Sequence, residues 1–245
     1  MCARSISGVR TDAAGRRGLH AFYGRAHILH GISLEVRAGE VVALLGRNGA
    51  GKSTAMKAIM GLVPPARGEV SFAGQRIERL PPYRIARLGL GYVPEERRIF
   101  TELSVMENLE VGRQAARAGV PVWTEEKLFK LFPNLARMRE RPGGRMSGGE
   151  QQMLTIARTL MGNPSCVLLD EPSEGLAPII VEEMANSIRA LKGEGVSVIL
   201  CEQNLHFALG VADRAYIIEK GQIRFGGSME ELAANDSLRE QYLSV

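Results

Sequence analysis

Short apolar runs recur along this 245-residue chain, each followed by a turn and a stretch with helical spacing. Val41-Val42-Ala43-Leu44-Leu45 and Val167-Leu168-Leu169 are unbroken, and residues 196–201 nearly so. Continuous apolar runs of this length predict strands buried on both faces. Helical spacing follows at 52–60, 179–192 and 205–211. Ile32-Ser33-Leu34-Glu35-Val36 alternates like a half-buried strand. Further short strands are predicted at 68–72, 90–93, 215–218 and 223–225, a short helix at 83–88 and a terminal helix at 229–243. Alternating strands and helices predict an α/β body around a mostly parallel sheet. Between Val105 and Leu160 the pattern changes. Val105, Leu109, Leu128, Leu131 and Leu135 keep helical spacing, with breaks at 119–121, Pro133 and 141–144, so a helical lobe is expected there. No internal repeat occurs.

Composition adds bounds. Hydrophobic residues make up 45% and charged residues 24%, ordinary for a globular chain. No apolar run approaches the ~20 residues of a membrane helix, and the first residues lack the apolar stretch of a secretory signal. Cys2, Cys166 and Cys201 have no metal-ligand spacing, and three is an odd number for a disulfide framework. A reduced, cytosolic chain is expected. Net charge is +4, but residues 1–30 hold five arginines against one aspartate and the remainder is balanced. The basic excess therefore belongs to the N-terminal segment, and no nucleic-acid partner is expected. Residues 1–18 have no strand or helix period, and they are expected to be poorly ordered.

The candidate chemistry begins at Gly46-Arg47-Asn48-Gly49-Ala50-Gly51-Lys52-Ser53-Thr54, a G-x-x-x-x-G-K-[ST] loop between a predicted strand and helix. Backbone N–H groups of such a loop close around phosphate oxygens, and the helix dipole points at the same place. Lys52 would reach the β- and γ-phosphates and Ser53 would sit on Mg²⁺. A second apolar strand ends in Asp170-Glu171-Pro172. Asp170 suits a magnesium ligand, and Glu171 suits a general base that polarises the attacking water. Taken alone, two acids at a strand end are better read as a solvated cap; the upstream phosphate loop reverses that. Ser147-Gly148-Gly149-Glu150 opens a predicted helix over 151–160. It reads either as a second backbone anion site or as an ordinary Ser cap.

Ser147-Gly148-Gly149-Glu150-Gln151-Gln152, placed between the phosphate loop and Leu168-Leu169-Asp170-Glu171-Pro172, resembles the ATP-binding cassette (ABC) ATPases from about Leu19 onward. The resemblance implies a P-loop NTPase cassette with a mostly parallel core sheet, an antiparallel β portion and an inserted helical lobe. The core would span 19–94 and 163–245, and the lobe, with the Ser-Gly-Gly signature, 95–162. It implies a dimer with a second ABC ATPase, in which Ser147, Gly148, Gly149 and Glu150 close over the partner's ATP. It implies that Tyr23, in Phe22-Tyr23-Gly24, stacks on adenine; from the residues alone Tyr23 is as well read as a packing residue. The runs at 23–36, 91–95, 170–178 and 201–204 are most similar to ATPase subunits of branched-chain amino acid importers, with urea importers close behind. That implies integral membrane permease subunits as partners, a solute-binding protein indirectly, and a peripheral position on the cytoplasmic face of the plasma membrane.

Three positions depart from the wider family. Glu95 replaces a Gln that contacts Mg²⁺, Gln203 replaces a His near the γ-phosphate, and Ala177 replaces an Asp in the loop after the Asp-Glu-Pro segment. A carboxylate at Glu95 can still ligate Mg²⁺. Gln203 can hydrogen-bond a phosphate but cannot act as acid or base near neutral pH, which leaves base chemistry to Glu171. Residues 12–18 have weak strand propensity, so the first strand before Tyr23 is expected to be weak or missing. Two further readings stand beside the importer ATPase: a nucleic-acid machine, disfavoured by the single phosphate loop, and a nucleotide-binding regulatory subunit without turnover.

Overall fold

The computed structural model describes residues 10–11 and 18–243. A six-stranded sheet forms the body, built from Leu90–Val93, Cys166–Asp170, Ser197–Glu202, Val41–Leu45, Arg214–Glu219 and Gln222–Ser228 in that spatial order. All neighbours run parallel except the last, which returns antiparallel as a hairpin. Every residue of Val41–Leu45 is buried, because both faces are covered. Val42 and Leu44 pack with Met56 and Ile59 on one face. Ala43 and Leu45 pack with Leu205 and Ala208 on the other.

The helices Val105–Gly112, Glu125–Leu131, Pro133–Ala136 and Gly148–Leu160 share a core with one face of this sheet. Pro133 opens a helix instead of simply ending one, since its missing N–H costs nothing at a first helical position. The terminal helical stretch divides into Met229–Ala233 and Asp236–Leu243.

The largest differences from expectation lie near the N-terminus. Arg10–Thr11 is a short strand between Leu34–Glu35 and Val70–Phe72 in an antiparallel sheet completed by Gln75–Arg76. Residues 1–9 and 12–17 of the segment expected to be poorly ordered lie outside the described residues. Tyr23 does have a strand beneath it, because Leu19–Tyr23 pairs antiparallel with Ala26–Ile32. The alternation at 32–36 resolves into the end of that hairpin and the separate Leu34–Glu35 strand.

This hairpin carries three of the chain's four histidines. Ring nitrogens of His20 and His27 share a hydrogen bond of 3.1 Å. His27 stacks on Phe22 at 4.1 Å and lies 3.9 Å from His30, centroid to centroid. Burial, and then the neighbouring His27, Arg67 and His30, hold His20 below its ordinary value of 6.5. The folded hairpin therefore binds fewer protons than the unfolded chain. The stability this contributes is complete above 6.5 and is lost as pH falls from there through the lower folded-state value. Amide exchange of Leu19–Tyr23, corrected for intrinsic rates, is expected to be faster at pH 5.5 than at 7.5, and His20→Gln should flatten the difference. Equal protection at both pH values in the native chain would contradict this.

Candidate functional site

Three parallel strands end side by side. The register aligns Leu44 with Cys201 and Cys201 with Asp170, so three loops leave one edge of the sheet together. The carboxyl ends of parallel strands are where open α/β sheets bind ligands. The loop after Val41–Leu45 is the 46–54 segment, which leads into the helix Lys52–Ile59. Gly51 caps that helix with φ 112°, a conformation a side chain would strain. The backbone N–H groups of Gly49, Gly51, Lys52, Ser53 and Thr54 have no protein acceptor among the described residues. They form an open cradle of donors at a helix N-terminus.

Lys52 is only 3% exposed. Its Nζ donates to the carbonyls of Gly46 (2.8 Å) and Arg47 (3.1 Å) and pairs with Glu171 Oε1 at 3.0 Å. Gln203 Nε2 donates to the other oxygen of Glu171 at 2.9 Å. Ser53 Oγ donates to Asp170 Oδ1 at 3.0 Å, and the Tyr92 hydroxyl donates to Oδ2 at 3.1 Å. Lys52, Ser53, Asp170, Glu171 and Gln203 are thus one connected cluster, although they are up to 151 positions apart in the chain.

Backbone geometry aims the key carboxylate. Glu171 has φ 47°, rare for a residue with a side chain, and its N–H donates to the carbonyl of Cys201 at 3.0 Å. Such a conformation costs about 1–3 kcal/mol and persists only where its surroundings hold it. Burial pushes the Glu171 carboxyl up, but hydrogen bonds from Glu174, Gln203 and Lys52 leave it below its ordinary value. Glu174 moves the other way. Its hydrogen bond to Glu171, then burial and the charges of Glu171, Glu95 and Glu202, push it up to about 7. The Asp170 carboxyl is raised by burial, against which the Ser53 and Tyr92 hydrogen bonds act.

One hydroxyl and one carboxylate oxygen converging at Ser53 and Asp170 are hard donors. Such a pair fits the small protein share of a Mg²⁺ site in which phosphates and water supply the rest. No group of three or more His, Cys, Asp or Glu suited to an all-protein metal cage occurs among the described residues.

Other expected positions stand apart from this cluster. Tyr23, 48% exposed, ends its strand at the hairpin turn. Glu95 is exposed and reaches the cluster only through its charge on Glu174. Ser147 caps the helix Gly148–Leu160 in a capping box with Glu150, and both glycines lie inside the first turn instead of before it. Gly149 is packed so closely that an added Cβ would meet Ile180 at 2.9 Å. Among the described residues no hydrogen bond or ion pair joins 147–150 to the phosphate loop. Ala177 caps the helix Pro178–Gly193 without a side-chain bond.

Sequence reasoning did not find Tyr92, Glu174, Glu202 or Gly221. Glu202 is buried and accepts from the backbone N–H of Ser173 at 3.1 Å, which ties the loop after Asp170 to the next strand. Gly221 donates to the carbonyl of Ala50 and accepts from His30, each at 2.8 Å, and so props the phosphate loop against the histidine hairpin. A Cβ there would lie 1.8 Å from the carbonyl oxygen of Ile28, so only glycine fits. The Lys220-Gly221 turn was the one signal available for it.

The ABC transporter family model matches residues 29–174, which include both the phosphate loop and Asp170-Glu171. The chain is 44% identical over 222 residues to the high-affinity branched-chain amino acid transport ATP-binding protein BraG of Pseudomonas aeruginosa, covering 91% of this chain and 95% of that one. It is 36% identical to the lipopolysaccharide export system ATP-binding protein LptB of Acidithiobacillus ferridurans, over 93% and 95% of the two chains. The crystal structure of the ADP conformation of MJ1267, an ATP-binding cassette of an ABC transporter, matches with a TM-score of 0.77 at 28% identity over 94% of each chain. Sequence and fold agree over nine-tenths of the molecule, and the chain belongs to the ABC transporter family as an ATP-binding subunit that hydrolyses ATP.

Proposed function

We propose that this subunit powers an importer of branched-chain or other hydrophobic amino acids. The observation that carries the reading is the 44% identity to BraG across nearly the full length of both chains. The alternatives are a urea or amide importer and, through the LptB relatives, export of a lipid-linked saccharide.

In this reading the loop amides of 49–54 and Lys52 hold the triphosphate. Ser53 and Asp170 hold Mg²⁺, which when bound neutralises charge on the phosphate oxygens. Glu95 would add a water-mediated contact to the ion. Lys52 exchanges its Glu171 partner for phosphate oxygens, since both are anions at the same ammonium. Glu171, freed from Lys52 and still oriented by Gln203, accepts a proton from the attacking water. Tyr23 supports adenine, where a stacked base is worth about 1–3 kcal/mol. Among the described residues Ser147 to Glu150 make no hydrogen bond or ion pair with their own phosphate loop. They serve that of a second ATPase copy, so two nucleotides are shared across a dimer.

The membrane subunits dock in a cleft of about 470 Å³ between the sheet body and the helical lobe. Leu62, Tyr92, Arg98, Phe100, Val111 and Arg158 line it. Its lining includes the exposed apolar groups Leu62, Phe100 and Val111, and such a patch marks an interaction surface. Arg158 lies over the Phe100 ring at 5.1 Å and holds the carbonyl of Arg98 at 2.8 Å. No helix among the described residues is long and apolar enough to cross a membrane. In this reading the chain sits peripherally on the cytoplasmic face, held by its membrane partners.

The test is uptake into vesicles containing the membrane subunits, this ATPase and the solute-binding protein. ATP-dependent uptake of leucine above that of urea is the expected result. Urea uptake without leucine uptake would overturn the amino-acid reading.

A further inference from the structure

Tyr92 belongs to two places at once. It lies on the strand Leu90–Val93, which pairs in parallel with Cys166–Asp170, Tyr92 beside Leu168. Its side chain lines the cleft between body and lobe, and its hydroxyl reaches Asp170 Oδ2 at 3.1 Å. Among the described residues, no other side chain lining the cleft hydrogen-bonds Asp170.

The Asp170 carboxylate is 1% exposed, and each of its oxygens accepts one hydroxyl. Ser53 is one donor and lies on the nucleotide side. Tyr92 is the other and lies on the cleft side. With both bonds made, the carboxylate plane is set. A phenol is protonated at physiological pH, so the Tyr92 hydroxyl donates to Asp170 there. A segment seated in the cleft would meet the same side chain that donates to Asp170.

We propose that Tyr92 is a positioning residue that transmits occupation of the cleft to the carboxylate that holds magnesium. This rests on the reading of the cleft as the docking site of the membrane subunits and of Asp170 as a magnesium ligand. A second partner that orients a ligating carboxylate governs metal affinity, and its loss typically costs 10–100-fold.

Tyr92→Phe keeps the ring and removes only the hydroxyl. The first arm uses the full chain alone with ADP, and Mn²⁺ as a spectroscopic probe, counting free Mn²⁺ by electron paramagnetic resonance. Mn²⁺ binding is expected to weaken roughly tenfold, while ADP binding in the presence of a chelator stays unchanged. Mn²⁺ affinity within twofold of the native chain overturns the positioning role. The second arm uses the assembled complex. Tyr92→Phe should co-purify with the membrane subunits as well as the native chain, yet lose most of the change in ATPase rate that assembly produces. An undiminished response overturns the transmission. If the native chain does not assemble with the membrane subunits, the docking reading falls and the transmission with it, and the Mn²⁺ arm still decides the positioning role.

Discussion

Replacing Lys52 by Met should both abolish nucleotide binding and destabilise the empty protein. The two effects have different origins. Nucleotide is lost because the loop amides alone cannot balance a triphosphate in a buried site. A fall in ATP affinity of at least 10²-fold is expected, in line with the roughly 3 kcal/mol carried by a charge-assisted contact. The stability loss comes from Glu171. Its carboxylate is buried against Lys52 at 3.0 Å, with both side chains almost fully covered. Removing one member of a buried pair leaves an uncompensated charge and costs about 3–5 kcal/mol. In a chain of this size that is a drop on the order of 10 °C in thermal midpoint. The double variant Lys52→Met/Glu171→Gln should recover most of the midpoint while still failing to bind ATP. A Lys52→Met protein as stable as the native one would mean that the ion pair is solvated in solution.

Glu171→Gln should lower turnover by roughly 10²–10⁴-fold, the usual share of a general base, and yet bind ATP at least as tightly as the native chain. The amide keeps the shape of the carboxyl and can still accept from Lys52. It cannot take a proton from water. It also competes less strongly than a carboxylate for Lys52, so phosphate displaces it more easily. ATP should therefore accumulate unhydrolysed, and the chain should shift to a dimer on sizing columns when ATP and Mg²⁺ are present. Retained turnover would move base chemistry elsewhere. Gln203 cannot supply it, since its amide only donates to Glu171 at 2.9 Å. Measurable turnover in the native chain removes the reading as a regulatory subunit.

Most of the central sheet could be read from the chain, because strands buried on both faces leave unbroken apolar runs such as Val41–Leu45. The N-terminal hairpin could not. Leu19–Tyr23 and Ala26–Ile32 contain three histidines, and only Leu19, Ala21, Leu29 and Ile32 are buried in the core; the cross-strand contacts of His27 with Phe22 and His20 that help join them leave no apolar period. Arg10–Thr11 is similarly silent: a two-residue strand held by neighbours at Leu34–Glu35 and Val70–Phe72 has no pattern of its own.

The site divides along the same line. The phosphate loop, Asp170-Glu171 and Ser147-Gly148-Gly149 are contiguous segments whose chemistry depends on residue type and spacing, and the sequence by itself determined those. Which of them meet was decided only by the tertiary structure. The parallel register that sets Leu44, Cys201 and Asp170 abreast joins Lys52 to Glu171, and Glu171 to Gln203. It also sets Tyr92 on Asp170 and Gly221 beneath Ala50. These are pairings between residues tens to hundreds of positions apart. Local pattern specifies which face of a strand is buried. It does not specify which strand lies beside it, and a hydrogen bond of 3 Å exists only once that neighbour is chosen.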